Sequence, residues 1–376
     1  MKQTITIIGS GMMGSALAFP AAENGHDVRL VGTPLDEEII AACRRTGQHP
    51  KFEKPFPQGV RYYRFEQWQE AVAGADFIIG GVSSFGVDWF GEEVLARLDP
   101  ALPVLSVTKG LVNRPDGSLI SYPDYWRNLL ADKGIHREIC AIGGPCTSYE
   151  LVWHDHSEVA FCGKDRAVLQ RMKEALETDY YHISLTDDVL GLESAVALKN
   201  AYALAVAMTV GLVNRRAGAV TPATGVSPSG QAAGGPSFNT QAGADTVLHY
   251  NSQAGAFTQA AREMTRLVRL QGGSEDSLCI GLGDLYVTVY GGRTRKIGIL
   301  LGEGKTYEEA MTLLSGVTLE SVVVSRRVAA AIRRRAEQGL VDPADFPLLL
   351  HVDDVLERGA DAELPWNLFT FNFFNH

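Results

Sequence analysis

Short hydrophobic runs alternate with helical patterns over the first half of the chain. Residues 4–8 read Thr-Ile-Thr-Ile-Ile, a β-branched run that is typical of a strand buried on both faces. Similar runs follow at 27–31, 75–82, 104–107 and 139–142. Strands that alternate with helices predict an α/β fold with a doubly wound, mostly parallel sheet, whose ligands bind at the carboxyl ends of the strands.

The alternation ends after about residue 185, and helical patterns follow. The predicted helices are a long apolar one at 192–213 and others at 258–270, 306–314, 319–338 and 346–357. We therefore expect an all-α C-terminal domain over 189–376, after a first domain over 1–188. Residues 216–246 are rich in Gly, Ala, Ser and Pro, which predicts a mobile or extended insertion.

The composition is that of a soluble globular protein large enough for two domains. Of 376 residues, 45% are hydrophobic and 21% are charged. The net charge of −10 argues against a nucleic-acid partner. Five scattered cysteines without a C-x-x-C spacing indicate reduced thiols rather than disulfides or a zinc site. No signal peptide precedes the first strand, so we expect a cytoplasmic protein.

The uncharged stretch at 201–213 raises the question of a membrane span. It is shorter than the roughly 20 residues that a span needs, and charged residues bound it on both sides. We expect a buried core helix here and no membrane span.

A glycine-rich turn directly follows the first strand. It reads Gly9-Ser10-Gly11-Met12-Met13-Gly14 and opens a helical stretch. Gly9 permits the tight turn, Gly11 lets the backbone approach a pyrophosphate, and Gly14 lets the helix pack on the strand. Phosphates favour the N–H groups at such a helix start. This context predicts a dinucleotide-binding, Rossmann-type first domain, with a tight turn that binds no ligand as the alternative.

The choice between the two nicotinamide dinucleotides is made at the tip of the second strand. Gly32 and Thr33 occupy that tip. An acid there would bind the ribose 2′-hydroxyl and repel a 2′-phosphate, but neither residue is acidic. NAD and NADP therefore both stay open as cofactors, and the sequence favours NADP.

Two lysines stand in positions where a charge needs an explanation. Lys199 lies in a helix that is apolar on nearly every face, so it loses hydration unless it is paired or faces a cavity. Lys109 follows a buried strand, at the sheet edge where ligands bind. The alternatives are a lysine that reaches the surface at the helix end and a solvated loop lysine.

Charged residues framed by glycines form a further candidate site. Residues 281–288 hold a single acid, Asp284, between glycines, and residues 291–296 form a glycine-led basic cluster that includes Arg293. The pattern indicates a fixed carboxylate and an anion site, because the arginine fork matches phosphate oxygens. A solvated turn is the alternative.

These motifs, in this order, resemble the NAD(P)-dependent glycerol-3-phosphate dehydrogenase family. The resemblance covers about residues 3 to 358, and its most specific parts are the Leu-Lys-Asn helix and the segment from Gly281 to Arg293. The residues that carry it are Gly9–Gly14, Thr108–Gly110, Gly144–Pro145, Glu193, Ala197–Asn200, Gly281–Leu285, Thr288, Gly291–Arg293 and Glu320.

The resemblance implies a role for each matching residue. Lys199 matches the catalytic lysine that exchanges a proton with the C2 oxygen, Lys109 the lysine that stabilises the oxyanion, and Asp284 the acid that orients the lysine. Matches to substrate contacts are Lys109, Gly144, Cys146, Lys199, Asn200, Asp284, Thr288, Arg293 and Thr294. Matches to dinucleotide contacts are Gly9, Ser10, Gly11, Met12, Met13, Gly14, Thr33, Lys109, Ser148, Arg293 and Glu320. The implied reaction is reversible reduction of dihydroxyacetone phosphate, without a metal.

The chain departs from the family pattern at several positions. Thr294 replaces an asparagine, Cys146 stands where Ser or Thr is common, Gln259 stands where a basic residue is frequent, and the insertion at 216–246 is long. A different phosphorylated or anionic hydroxy compound is therefore an alternative substrate. A non-catalytic dinucleotide sensor is the alternative from another class. The oligomeric state stays open, with a homodimer as one candidate.

Overall fold

The computed structural model describes residues 2–217, 250–314 and 319–369. The insertion predicted for 216–246 lies outside the described residues from 218 onward. Arg216 itself belongs to a helix that ends at Ala217.

The chain divides into two compact units. The first comprises Met1–Gly110 and Ser121–Glu193, and the second comprises Leu111–Ile120 and Ser194–His376. The sequence analysis placed its boundary slightly earlier, near Asp188. It also assigned the segment Leu111–Ile120 to the first domain, whereas the structure assigns that segment to the second unit.

The first unit is built on one large sheet. The strands in chain order are β1 (Thr4–Ile8), β2 (Asp27–Val31), β3 (Val60–Tyr63), β4 (Phe77–Gly80), β5 (Val104–Ser106), β6 (Leu111–Asn113), β7 (Leu119–Ser121), β8 (Ile139–Gly143), β9 (Ser157–Cys162) and β10 (Tyr181–Thr186). Eight of them form a sheet in the order β10-β9-β8-β5-β4-β1-β2-β3, and β6 pairs with β7. Neighbours are parallel except β8 and β9. The order reverses between β1 and β4, which confirms the predicted doubly wound sheet and marks its binding edge.

Helices cover this sheet and form most of the second unit. In chain order they are α1 (Met12–Ala16), α2 (Ala18–Glu23), α3 (Glu37–Thr46), α4 (Trp68–Val72), α5 (Val87–Trp89), α6 (Tyr122–Ala131), α7 (Ser148–Val152), α8 (Arg166–Leu176), α9 (Val189–Ala217), α10 (Tyr250–Leu270), α11 (Glu275–Tyr290), α12 (Gly292–Gly302), α13 (Tyr307–Leu313), α14 (Glu320–Glu337) and α15 (Pro347–Arg358). A helix-interrupting turn at Leu17 separates α1 from α2, because Pro20 offers no N–H to the carbonyl of Ala16.

The core of the second unit surrounds α9. By length and composition this one described helix could cross a membrane, yet 83% of its most apolar window is buried inside the structure. It packs against α12 with almost no separation, since a Cβ at Gly211 would lie 2.1 Å from the Ile299 carbonyl oxygen. At Gly302 a Cβ would lie 2.1 Å from the Met208 carbonyl oxygen. The predicted buried core helix is therefore confirmed.

Two parts of the second unit did not emerge from the sequence pattern. One is the pair β6 and β7, which makes this unit predominantly rather than purely helical. The other is the pair of helices α11 and α12. Glycines at 281 and 283 and β-branched residues lower the helix propensity of α11, so the sequence analysis predicted no helix there.

Candidate active site and dinucleotide site

The glycine turn between β1 and α1 leaves room for a ligand at one position. Gly9 has φ +110°, and a Cβ there would lie 2.6 Å from Gly81 backbone atoms. A Cβ at Gly14 would lie 2.4 Å from the Gly9 carbonyl oxygen, so both glycines are required by the fold itself. At Gly11, the nearest atom to an added Cβ is the Gly81 carbonyl oxygen, 3.8 Å away. Among the described residues, no atom lies closer than 3.8 Å to that position, so a pyrophosphate can approach the backbone at Gly11.

Ser10 is the best-anchored residue of this turn. Its backbone N–H donates to Asp36 Oδ2 at 3.2 Å, and its carbonyl oxygen accepts from Ser15 Oγ and from His49 Nε2, each at 3.1 Å. Burial lowers the pKa of His49, so a neutral ring donates through Nε2. Within the described residues the buried Ser10 hydroxyl has no hydrogen-bond partner. A bound phosphate group fits that unsatisfied hydroxyl.

Lys109 and Gly144 lie together at the carboxyl ends of β5 and β8. The Lys109 ammonium donates to the Gly144 carbonyl oxygen at 3.1 Å. Gly144 has φ +137°, and a Cβ there would lie 2.8 Å from the Glu158 carbonyl oxygen, so only glycine fits. The half-buried Cys146 follows two residues later. Two residues that the resemblance assigned to substrate therefore do meet at one sheet edge.

Glu193 is a buried acid to which the sequence analysis gave no role. Its side chain is 0% exposed, and neither carboxylate oxygen has a hydrogen-bond partner among the described residues. Burial raises the pKa of Glu193 to about 8, an effect that the charge of Lys109 partly opposes. The available sequence signal was an acid inside the apolar run of α9, and it served only as a marker of resemblance.

Lys199 and Asp284 form a buried ion pair in the second unit. The Lys199 ammonium on α9 donates to Asp284 Oδ1 on α11, and the two side chains are 13% and 3% exposed. Thr288 lies one turn after Asp284 and donates its hydroxyl to the Asp284 carbonyl oxygen at 2.7 Å. Asn200, next to Lys199, is 8% exposed. A lysine that simply reaches the surface is therefore the wrong interpretation of Lys199.

The basic cluster begins α12. Arg293 is exposed in the first turn, and Thr294 is half-buried. Arg295 is more buried: its guanidinium donates to the Val289 carbonyl oxygen at 2.7 Å, and burial lowers its pKa. Arg293 is therefore the more exposed of the two arginines.

The remaining residues that the resemblance assigned to the dinucleotide lie in both units. Met12, Met13 and Thr33 are half-buried in the first unit, Ser148 begins α7, and Glu320 begins α14. The described residues contain no group of three or more His, Cys, Asp or Glu side chains that could hold a metal ion.

Gln259 is part of the core rather than of an exposed site. It is 0% exposed and its amide donates to Glu263 Oε1 at 2.8 Å. Glu263 also accepts from the N–H groups of Leu348 and Leu349 at the start of α15. Burial raises the pKa of Glu263 to about 7. This departure from the family pattern therefore alters a buried network.

The doubly wound sheet, its glycine turn and the helical second unit are typical of one class of protein, the NAD(P)-dependent dehydrogenases. Residues 4–184 match the family model for the NAD-dependent glycerol-3-phosphate dehydrogenase N-terminus, and residues 241–366 match the model for its C-terminus. The chain belongs to the NAD-dependent glycerol-3-phosphate dehydrogenase family. The assignment confirms the predicted enzyme class and disfavours the non-catalytic sensor.

Individual relatives agree with this assignment over nearly the whole chain. An NADP(+)-dependent glycerol-3-phosphate dehydrogenase of Archaeoglobus fulgidus is 30% identical over 96% of both chains. A glycerol-3-phosphate dehydrogenase [NAD(P)+] of Acidobacterium capsulatum is 26% identical, over 95% of this chain and 94% of its own. The crystal structure of glycerol-3-phosphate dehydrogenase from Coxiella burnetii shares the fold, with a TM-score of 0.74, 22% identity and 98% coverage of both chains.

Proposed function

We propose that this chain catalyses reversible hydride transfer between NAD(P)H and dihydroxyacetone phosphate, with glycerol 3-phosphate as the reduced product. The buried Lys199–Asp284 pair carries the proposal. Burying two charges in an apolar region costs hydration free energy, and such pairs are common at catalytic sites. The family assignment supplies the substrate class, since the similar relatives carry that activity in their names.

The dinucleotide supplies the hydride, and the residues of this chain handle the charge that the hydride creates. Reduction of a ketone places negative charge on its oxygen, which preorganised cations stabilise. Lys199 delivers the proton to that oxygen, and Asp284 orients the ammonium group. Lys109, fixed by the Gly144 carbonyl, offers a second cation to the substrate. Arg293 binds the phosphate group of the substrate.

The first unit would hold the cofactor. The open space beside Gly11 and the unsatisfied Ser10 hydroxyl support binding of the pyrophosphate at the glycine turn. We extend the proposal to use of NADP as well as NAD, since neither Gly32 nor Thr33 is acidic and the Archaeoglobus relative carries NADP(+) in its name. Residues 1–188 would thus serve as the dinucleotide domain and 189–376 as the substrate domain of a cytoplasmic enzyme, with a homodimer as its candidate assembly.

A different anionic ketone is the second candidate substrate. Thr294 and Cys146 replace residues that the family uses near the substrate. A threonine offers no amide to a phosphate oxygen, so the phosphate contact is one donor poorer than in the family.

Turnover with purified substrates tests the proposal. We expect oxidation of NADPH and of NADH with dihydroxyacetone phosphate, and only weak activity with unphosphorylated dihydroxyacetone. A panel of phosphorylated and carboxylated ketones serves as the comparison. Faster turnover of another anionic ketone would favour the second candidate, and absence of turnover with every ketone would refute the proposed function.

A further inference from the structure

One oxygen of the Asp36 carboxylate accepts several hydrogen bonds at the end of β2. Asp36 Oδ2 accepts from the Thr33 N–H at 2.9 Å and from the Thr33 hydroxyl at 2.9 Å. It also accepts from the Ser10 N–H of the glycine turn at 3.2 Å. Three donors from two strand ends thus converge on a side chain that follows β2 by several residues. The sequence analysis considered only Gly32 and Thr33 at this place and found no acid.

The fold explains why the acid stands at position 36 and not at the strand end itself. A Cβ at Gly32 would lie 2.7 Å from Ile40 Cγ1 and 3.2 Å from Asp36 Cβ, so the close approach of α3 excludes any side chain at the strand end. Asp36 precedes the first residue of α3, and its side chain turns back toward β2 instead of capping the helix. The same contact that forbids an acid at position 32 therefore brings a carboxylate to that position.

In a dinucleotide-binding sheet, the end of β2 contacts a particular part of the cofactor. The end of β2 meets the ribose of the adenosine, where a carboxylate accepts from the 2′-hydroxyl and repels a 2′-phosphate. The Thr33 N–H and hydroxyl are the kind of donors that a 2′-phosphate uses, and here they already bind an anion. In the described part of the chain no hydrogen bond uses the second oxygen, Oδ1. That oxygen is able to accept from a ribose hydroxyl.

We propose that Asp36 is a cofactor-specificity residue, which brings to the adenosine ribose the carboxylate that position 32 cannot carry. It favours a ribose 2′-hydroxyl and opposes a 2′-phosphate, so it limits the preference for NADP that Gly32 and Thr33 would otherwise allow. The inference rests on the dinucleotide-dependent function proposed above, but not on the identity of the ketone.

Binding measurements on the whole chain test this assignment. Dissociation constants of NADH and NADPH are measured by nicotinamide fluorescence for the wild type and for Asp36→Asn, which keeps the size and an acceptor oxygen. We expect the ratio of the NADH to the NADPH dissociation constant to rise by at least about tenfold, because a like-charge contact is removed. Glu37→Gln is the matched control, since it removes one charge from the adjacent, exposed position and should leave the ratio within about twofold.

Each other outcome overturns the assignment. An unchanged ratio in Asp36→Asn shows that the carboxylate does not meet the ribose. Equal weakening of both dinucleotides, with thermal unfolding at a lower temperature, shows that Asp36 only holds the turn. The same change in Glu37→Gln shows a long-range charge effect. If the wild type binds both dinucleotides but reduces no ketone, the proposed reaction fails while this binding test still decides the role of Asp36.

Discussion

Removing either member of the Lys199–Asp284 pair should destabilise the protein, whereas removing both together should not. The two side chains are 13% and 3% exposed. Substituting one leaves the other charge buried without its partner, which lowers the free energy of unfolding by about 3–5 kcal/mol. Replacing both with apolar groups of similar volume removes the attraction together with both desolvation costs, and is nearly neutral. We therefore expect Lys199→Met and Asp284→Leu each to lose about 3–5 kcal/mol, and the double variant to lose less than about 1 kcal/mol.

In the same variants, kcat and the free energy of unfolding should respond differently. If Lys199 transfers the proton, Lys199→Met lowers kcat by about 10²- to 10⁴-fold. The double variant regains stability but not a proton donor, so its kcat should stay as low as that of Lys199→Met. A pair that served only to hold α9 against α11 would give the opposite result, with activity recovering together with stability.

Three measurements test the stabilising role of the pair and the proton-transfer role of Lys199. Urea unfolding followed by circular dichroism gives the free energies, ketone-dependent NADPH oxidation gives kcat, and nicotinamide fluorescence gives the NADPH dissociation constant. The last should change little, because the glycine turn lies in the first unit. A double variant that loses the sum of the two single losses would refute the buried-pair argument. A Lys199→Met variant with kcat within tenfold of the wild type would refute the proton-transfer role.

Three further perturbations test separate parts of the proposal. Gly11→Val should abolish binding of NADH and NADPH in calorimetry, because the side chain occupies the space of the pyrophosphate. The protein should stay folded, because an added Cβ meets no described atom closer than 3.8 Å. Arg293→Ala should lower kcat/KM for dihydroxyacetone phosphate by an amount equivalent to about 2–5 kcal/mol, and leave unphosphorylated dihydroxyacetone unaffected. Glu193→Gln should flatten the pH dependence of stability. The pKa of Glu193 is raised from 4.5 to about 8 in the folded chain, so its contribution is complete below pH 4.5 and is lost as the pH rises through 8. Between those values it should lower the free energy of unfolding by about 1.4 kcal/mol per pH unit.

Each of these has its own control. Gly14→Ala should fail to fold, because its Cβ would lie 2.4 Å from the Gly9 carbonyl oxygen; a Gly11→Val variant that binds NADPH normally would exclude the turn as the phosphate site. Thr294→Asn should improve use of dihydroxyacetone phosphate, and an unchanged substrate ratio in Arg293→Ala would exclude the phosphate contact. Unfolding at pH 5.5, 6.5 and 7.5 measures the third effect, and equal slopes for Glu193→Gln and wild type would contradict it.

Sequence pattern succeeded where structure follows from neighbouring residues. The strand, turn and helix around Gly9–Gly14 are adjacent in the chain, and the charge of Lys199 inside an apolar helix is visible without coordinates. The sequence pattern failed where the direction of a side chain decides the outcome. Asp36 lies only three residues after Thr33, but the sequence does not show that its carboxylate turns back to the end of β2.

The burial of individual side chains is the other property that the sequence does not show. Glu193 lies two residues after Gly191 in a helix whose apolar composition hides which face is solvated. Only the fold shows that its carboxyl is fully enclosed. The place of β6 and β7 was hidden for a related reason, because residues 111–120 lie between two segments of the first unit along the chain but belong to the second unit.

The glycine contacts between α9 and α12 have a consequence for how this protein is made in the cell. Translation completes α9 before any residue of α12 leaves the ribosome, so the apolar surface around Gly211 emerges without the helix that later covers it. During that interval the nascent chain carries a segment that resembles a membrane-inserting helix, and chaperones that bind hydrophobic nascent chains are its natural protection. Gly211 and Gly302, which allow α12 to cover this surface, therefore bear on the exposure of the nascent chain as well as on the stability of the finished molecule.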